Sequence, residues 1–304
     1  MNLRSSVAVV FALTALCMFA APEPHVEEIV ASVRAEVARI KAADPEAKLL
    51  AFWDFDGTIL KGDVSEGFSE AGVVRYAGLA ELLIRAGYAS AYAATDAGVG
   101  SFRREYDRLG AIGNEVSYPF VLKVFAGASA AELERFATAR FADTYPRWFF
   151  ASSREMLRAL EVMGVENHIV SASPEVFVRG AAAQLGLPLE RFHGIRAEMA
   201  EGRLTDRIEA PLPYGEGKTM IVRSIVAACP HGVAVAGFGN SYSTDGPFLR
   251  HIATQAELPG QAKGIAVMIN GGASQAGFTE HFRLVTQRST VDAKGIKVRL
   301  IGIQ

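Results

Sequence analysis

The segment Leu49-Leu50-Ala51-Phe52-Trp53-Asp54-Phe55-Asp56-Gly57-Thr58 ends an apolar run in two carboxylates one residue apart. Such a run reads as a buried parallel strand, and the carboxyl ends of such strands are where open α/β sheets hold their ligands. Two acids this close do not both stay ionised unless a cation joins them or one keeps its proton. The pair therefore suggests Mg²⁺-assisted phosphoryl transfer with a carboxylate nucleophile. Asp54 can attack phosphorus, dividing one difficult hydrolysis into two displacements. Asp56 can act as general acid toward the leaving oxygen and later as general base toward water. Gly57 lets the backbone approach a phosphate, and Thr58 adds a hydroxyl.

Three further segments supply complementary groups. His168 to Ser173 reads as a short strand reaching Ser171, with a helix expected over Pro174 to Leu185 and Ser173 as its cap. A phosphate at that helix start would meet the Ser171 hydroxyl and free backbone N–H groups. The loop Tyr214-Gly215-Glu216-Gly217-Lys218 delivers a compact positive charge to the start of a helical stretch over Thr219 to Ala228. Val233 to Gly239 reads as another buried strand, followed by Asn240 and, five residues on, Asp245. Asp54, Asp245 and the Asn240 amide oxygen would supply the protein's share of a Mg²⁺ site, leaving positions for water and substrate. Taken singly, each of these segments is also an ordinary turn or helix start.

Strand-DxDGT, strand-Ser, loop-Lys and strand-GNxxxxD, in that order over residues 48 to 255, resemble the haloacid dehalogenase superfamily. The likeness is greatest to its phosphoserine-phosphatase-like group, in which a helical cap follows the first motif. The resemblance implies that Asp54 is the nucleophile, Asp56 the acid/base, Ser171 and Lys218 a phosphate clamp, and Asp245 a metal ligand. It also implies a metal contact from the Asp56 backbone carbonyl. Asp63, nine positions after Asp54, would face a substrate amine, a role that Glu66 could share. A cap arginine would take a substrate carboxylate, with Arg103, Arg104 and Arg108 as candidates and Arg103 standing for the three. Asn240 departs from the group's usual Gly-Asp; one fewer negative charge predicts weaker Mg²⁺ binding without its loss. Asp56 favours phosphate over halide chemistry. The expected activity is Mg²⁺-dependent hydrolysis of a small phosphorylated metabolite. Transfer to an alcohol acceptor and a catalytically silent binding protein are the other readings.

The remaining sequence sets the scaffold for these groups. At 304 residues, half of them apolar, the chain can bury a sizeable core with an accessory domain. Its net charge of -2 gives no reason to expect a nucleic-acid partner. The expected fold is α/β, a doubly wound and mostly parallel sheet with an inserted helical cap. The core would comprise 22–60 and 151–304, and the cap 61–150. Residues 1–21 read as a secretory signal: Arg4 precedes an apolar stretch too short for a comfortable membrane span. An exported protein with no stable span after leader removal is expected, with an uncleaved anchor the lesser reading. Cys229 is then the single cysteine, so no internal disulfide forms.

Val26, Val30, Val33, Val37 and Ile40 are spaced for an amphipathic helix packed on the core. Helices are expected over Leu79 to Tyr88, Ser101 to Leu109 and Ala130 to Phe141, the last behind a Ser129/Glu132 capping box. Tyr145, Trp148, Phe149 and Phe150 read as packing at the cap junction before they read as a cation box. Phe192 to Met199 and Arg203 to Ile208 look like the arms of a hairpin. Gly264 to Asn270 reads as a core strand, with Phe282 to Thr286 and Ile296 to Ile303 as edge strands.

Overall fold

The computed structural model describes residues 23–255, 263–273, 275–277 and 280–291. The leader and the Ile296 to Ile303 segment lie outside them. Helix α1 (Pro24–Ala43) buries Val26, Val33 and Ile40 of the expected stripe, with Val30 and Val37 half-buried against the core and Ile29, outside the stripe, buried as well. The chain then enters β1 (Lys48–Trp53), whose last five residues are all buried.

An insertion follows. It opens with an antiparallel hairpin, β2 (Gly67–Glu70) and β3 (Val73–Ala77), and continues through helices α2 (Leu79–Arg85), α3 (Asp96–Gly110), α4 (Asn114–Lys123) and α5 (Ala130–Asp143). Ser129 caps α5 by accepting the Glu132 N–H, and Thr95 caps α3 through Gly98. The hairpin departs from the all-helical reading of this region. Its outward side chains give little alternating signal, and Val73 and Val74 are exposed.

Helix α6 (Ala151–Val162) leads to β4 (Val165–Pro174), then α7 (Glu175–Val178), α8 (Ala182–Leu185) and β5 (Phe192–Ile195). The single helix expected over 174–185 is thus broken, with a 3₁₀ turn over Arg179–Ala181 between its two parts. In that turn, a Cβ on Gly180 would lie 2.8 Å from Ala137, so the turn accommodates the close approach of α5. The expected hairpin arm Phe192 to Met199 is also split. Phe192, Gly194 and Ile195 are buried, and β5 joins the central sheet parallel to β4. The exposed residues of β6 (Ala197–Ala200) pair instead with β7 (Arg203–Ile208). The fold closes with α9 (Glu216–Ala228), β8 (Gly232–Gly239), α10 (Gly246–Thr254), β9 (Ile265–Ile269) and β10 (Phe282–Val285).

The central sheet has the order β10-β9-β8-β1-β4-β5, and every adjacent pair is parallel. From β1 the chain moves to β4 on one side and later to β8 on the other. That reversal opens a crevice at the carboxyl ends of β1 and β8, where doubly wound sheets bind ligands. One continuous apolar core joins the sheet to the insertion. At the seam, Phe55 meets Phe141 and Phe149 edge-on at 5.9 and 6.4 Å between centroids. Tyr145 and Phe149 are fully buried here, so these members of the aromatic cluster are packing.

Candidate active site

Asp54 is the first residue past β1, and its N–H bonds to the Phe238 carbonyl of β8 at 2.8 Å. Its carboxylate is buried and doubly held: Oδ1 accepts from Lys218 Nζ at 2.7 Å, and Oδ2 accepts from Thr58 Oγ1 at 2.8 Å. Lys218, in the first turn of α9, is fully buried and also donates to Asp245 Oδ1 at 2.7 Å. The other oxygen of Asp245 accepts the Asn240 and Ser241 N–H groups, each at 2.9 Å. Asp245 thus orients the lysine and closes the loop after β8. Both its oxygens are engaged, one by Lys218 and one by the loop's N–H groups.

Asp56 Oδ1 accepts the Val64 N–H at 2.7 Å, and Oδ2 accepts the Ser173 hydroxyl at 2.7 Å. Ser171 lies beneath. Its hydroxyl accepts the Ser173 N–H at 3.0 Å and stands 3.5 Å from Asp56 Oδ2. Of the two serines it is Ser173, read from the sequence only as a cap, that lines the cavity. Gly57 has φ +75°, and a Cβ there would fall 2.0 Å from the Asn240 amide nitrogen. The turn therefore needs glycine in order to seat Asn240 against it.

The cavity over these groups has a volume of about 390 Å³. Asp54, Asp56, Gly57, Asp63, Ser173 and Asn240 line its floor and near wall. Tyr106, Asn114, Tyr118 and Val121 from α3 and α4 form the far side. None of these four was singled out in the sequence. They belong to helices whose residues carry no motif, and only the packing of the insertion brings them over Asp54. Asp63 Oδ1 accepts the Ser65 and Glu66 N–H groups at 2.6 and 2.8 Å. The structure does not bring the candidate arginines to the cavity. Arg103 pairs with Glu81, Arg104 donates to Ser101 and Arg108 pairs with Glu105, all at the exposed surface.

The electrostatics are dominated by buried negative charge. Burial, and then the charge of Asp245, push Asp54 up to about 6 against the opposing pull of Lys218. Burial, with Asp63 and Asp54 nearby, raises Asp56 well above the usual carboxylate range. Asp63 is pushed up to about 7 by burial and then by Glu66. For Lys218, burial opposes the charged form, but Asp245 and Asp54 outweigh it and the ammonium is held protonated. One buried cation thus faces several carboxyls, a surplus that a hard divalent cation would offset. The donors suit Mg²⁺: the Asp54 carboxylate, the Asp56 carbonyl and the Asn240 amide oxygen are all hard oxygens, few enough to leave room for water and a phosphate. Among the described residues no cluster of three or more His, Cys, Asp or Glu side chains forms a metal cage.

Fold and site together define an α/β enzyme with carboxylate chemistry at the switch point of its sheet. The family model for haloacid dehalogenase-like hydrolases matches residues 51–250, and the chain belongs to that family. No curated protein matches it in sequence. Among solved structures it is similar to a protein of unknown function from Bordetella pertussis Tohama I, with TM-score 0.57 and 20% identity over 79% of this chain and 98% of that one. A conserved protein of unknown function from Anaerococcus prevotii DSM 20548 gives TM-score 0.55 and 14% identity over 82% and 87%. Cytosolic 5'-nucleotidase IIIB bound to cytidine gives 0.51 and 13% over 90% and 91%. At these identities the likeness is one of fold.

Proposed function

We propose that the chain is a Mg²⁺-dependent phosphomonoesterase working through an aspartyl phosphate on Asp54. The observation that carries this reading is the buried array in which Lys218 bridges Asp54 and Asp245 while the Asp56 carboxyl sits beside it on Ser173. Thr58 and Lys218 hold the Asp54 carboxylate, fixing its direction toward the cavity floor. Asp54 attacks phosphorus, the ester P–O bond breaks, and Asp56, kept protonated by its surroundings, gives its proton to the departing alkoxide. Water then attacks the acyl phosphate, Asp56 takes its proton, and phosphate and free Asp54 are restored. Lys218 offsets negative charge on the transferring group throughout, in a chemistry that is mainly positioning and electrostatics. Bound Mg²⁺ would add charge neutralisation at the phosphoryl oxygens.

The substrate is proposed to be a small phosphorylated metabolite, in keeping with a cavity of about 390 Å³. Residues 22–60 with 151–304 as core, 61–150 as cap, and export by the first 21 residues remain part of this reading. Sequencing the amino terminus of the protein recovered from outside the cytoplasm tests the last point. No helix among the described residues is long and apolar enough to cross a membrane.

Phosphate release from a panel of phosphomonoesters, with and without EDTA, tests the activity. Release should stop on chelation, return with Mg²⁺, and fall by at least about 10³-fold in Asp54→Asn, the scale lost when a catalytic unit is broken. Turnover unaffected by Asp54→Asn overturns the mechanism.

A further inference from the structure

An acid that serves a leaving group must present its proton to the ester oxygen, and the donors on its carboxyl decide where that proton points. Asp56 is gripped from two sides. From the insertion, the Val64 N–H donates to Oδ1 at 2.7 Å. From the sheet, the Ser173 hydroxyl donates to Oδ2 at 2.7 Å, while Ser171 stands 3.5 Å from the same oxygen, too far for a firm hydrogen bond. Ser173 is itself tied down. Its N–H donates to Ser171 Oγ at 3.0 Å, and its hydroxyl oxygen accepts from Ser65 Oγ at 3.3 Å. The pairing of β4 with β5 shifts register between Val170 and Pro174, the kind of irregularity that re-aims a side chain. A Cβ on Gly194 of β5 would fall 2.7 Å from the Ser173 carbonyl oxygen, so the edge strand backs this turn directly. Ser65 and Ser173 are both buried, and both line the cavity.

Resting on the phosphomonoesterase reading, we propose that Ser173 is a positioning residue for the acid: its hydroxyl, itself held by Ser65, fixes the Asp56 carboxyl so that the acid proton faces the leaving oxygen. The direction of the hydroxyl chain carries the argument. Ser65 donates to Ser173 and Ser173 donates to Asp56, so the Ser173 proton is committed to Oδ2. Members of such a chain strengthen one another in a buried setting. With Oδ1 on the Val64 N–H and Oδ2 on Ser173, the carboxyl cannot turn about its Cβ–Cγ bond without losing both donors. Each carboxyl oxygen has a further lone pair, and the acid proton occupies one of these on the cavity side instead of being spent on the serine. When the ester P–O bond breaks, that proton passes to the departing alkoxide and Asp56 is left as a carboxylate on the same two donors. The Ser173 proton is not transferred. A phosphate contact from Ser173 would matter alike for every ester, whereas aim of the acid matters most for weakly acidic leaving alcohols.

Variation of the leaving group tests this with the full-length protein and Mg²⁺. The value of kcat/KM, which reports only the steps up to formation of the aspartyl phosphate, is measured for 4-nitrophenyl, phenyl, propyl and 2-hydroxyethyl phosphates in the unsubstituted protein, Ser173→Ala and Ser173→Thr. Ser173→Ala should lower it by about 10²-fold for the two alkyl esters and by no more than about threefold for 4-nitrophenyl phosphate, whose phenolate departs without a proton. Ser173→Thr keeps the hydroxyl and should bring the alkyl esters back to within about threefold of the unsubstituted protein. Turnover of the nitrophenyl ester also shows that the variants are folded. An equal loss for all four esters, a profile unchanged by Ser173→Ala, or a selective loss that Ser173→Thr repeats in full overturns the proposal while leaving the hydrolase reading intact. Release from no ester by the unsubstituted protein overturns both.

Discussion

Lys218 concentrates the energetics of the site in one side chain. It has no exposure, and its ammonium holds two carboxylates that pair with no other cation among the described residues. Lys218→Met should therefore destabilise the fold by about 3–5 kcal/mol at neutral pH, because it leaves uncompensated buried charge. The loss should shrink as pH falls and the carboxyls protonate; urea unfolding at pH 7.5 and 5.5 measures both effects. Asn240 is the other residue with a definite consequence. An aspartate there restores a negative charge facing the phosphate-binding floor, so Asn240→Asp should tighten Mg²⁺ on the order of tenfold. Calorimetric titration of the ion checks this independently of turnover. Asp54, Asp56, Lys218 and Asp245 were legible in the sequence because each sits at a strand end or helix start, with a residue type that has few reasons to be buried. Ser173, Tyr106 and Tyr118 were not, since a capping serine and helix tyrosines have ordinary structural uses.

At the scale of elements, neighbouring strands β4 and β5 bring His168 and His193 together, Nδ1 to Nε2, at 3.2 Å. Burial holds both down to about 4, with Arg191 adding to the effect on His168, and His168 and Arg196 adding to it on His193. Their folded values lie below the unfolded one of about 6.5, so the unfolded chain binds protons more readily as pH drops below that value. Their contribution to stability should be fully present above about pH 6.5 and decline toward pH 4, by on the order of 2 kcal/mol per histidine at pH 5. The raised Asp54 and Asp63 oppose this decline, because their burial cost falls as they protonate. The difference in urea midpoint between the protein and His193→Gln across that range should isolate the histidine part. A second contact between elements supports Asp54. Gln287 after β10 donates to Ser153 of α6 at 2.7 Å, and Ser153 donates to the Thr58 carbonyl at 2.6 Å. Thr58 in turn donates to Asp54, so a segment more than two hundred residues away braces the turn. Nothing local in either segment announces this relation.

Across the whole molecule, the insertion shares one apolar core with the sheet, while a second cluster packs the sheet against α9 and α10. Phe141 of α5 is fully buried against Phe55, Tyr145 and Phe149, joining the helices to the loop that carries Asp54 and Asp56. Unfolding should then be a single transition seen alike by far-ultraviolet dichroism and tryptophan fluorescence. Phe141→Ala should lower its free energy by about 3–5 kcal/mol without splitting it. Two separated transitions would show that the insertion folds as an independent unit.

The sequence by itself determined the parallel α/β sheet, and it marked the strand-end carboxylates and the lysine that pairs with them. Strand burial and turn chemistry are local properties, written as apolar runs that stop at Asp, Ser or Gly. The tertiary structure decided the rest. Asp245 turned out to face Lys218 because the loop after β8 folds its N–H groups onto that carboxylate. The arginines face outward, Arg103 and Arg108 on acids of α2 and α3 and Arg104 on the Ser101 hydroxyl. The chamber is acidic and aromatic because helices with no chemical signature of their own pack across the strand ends, and that packing depends on contacts between residues far apart in the chain.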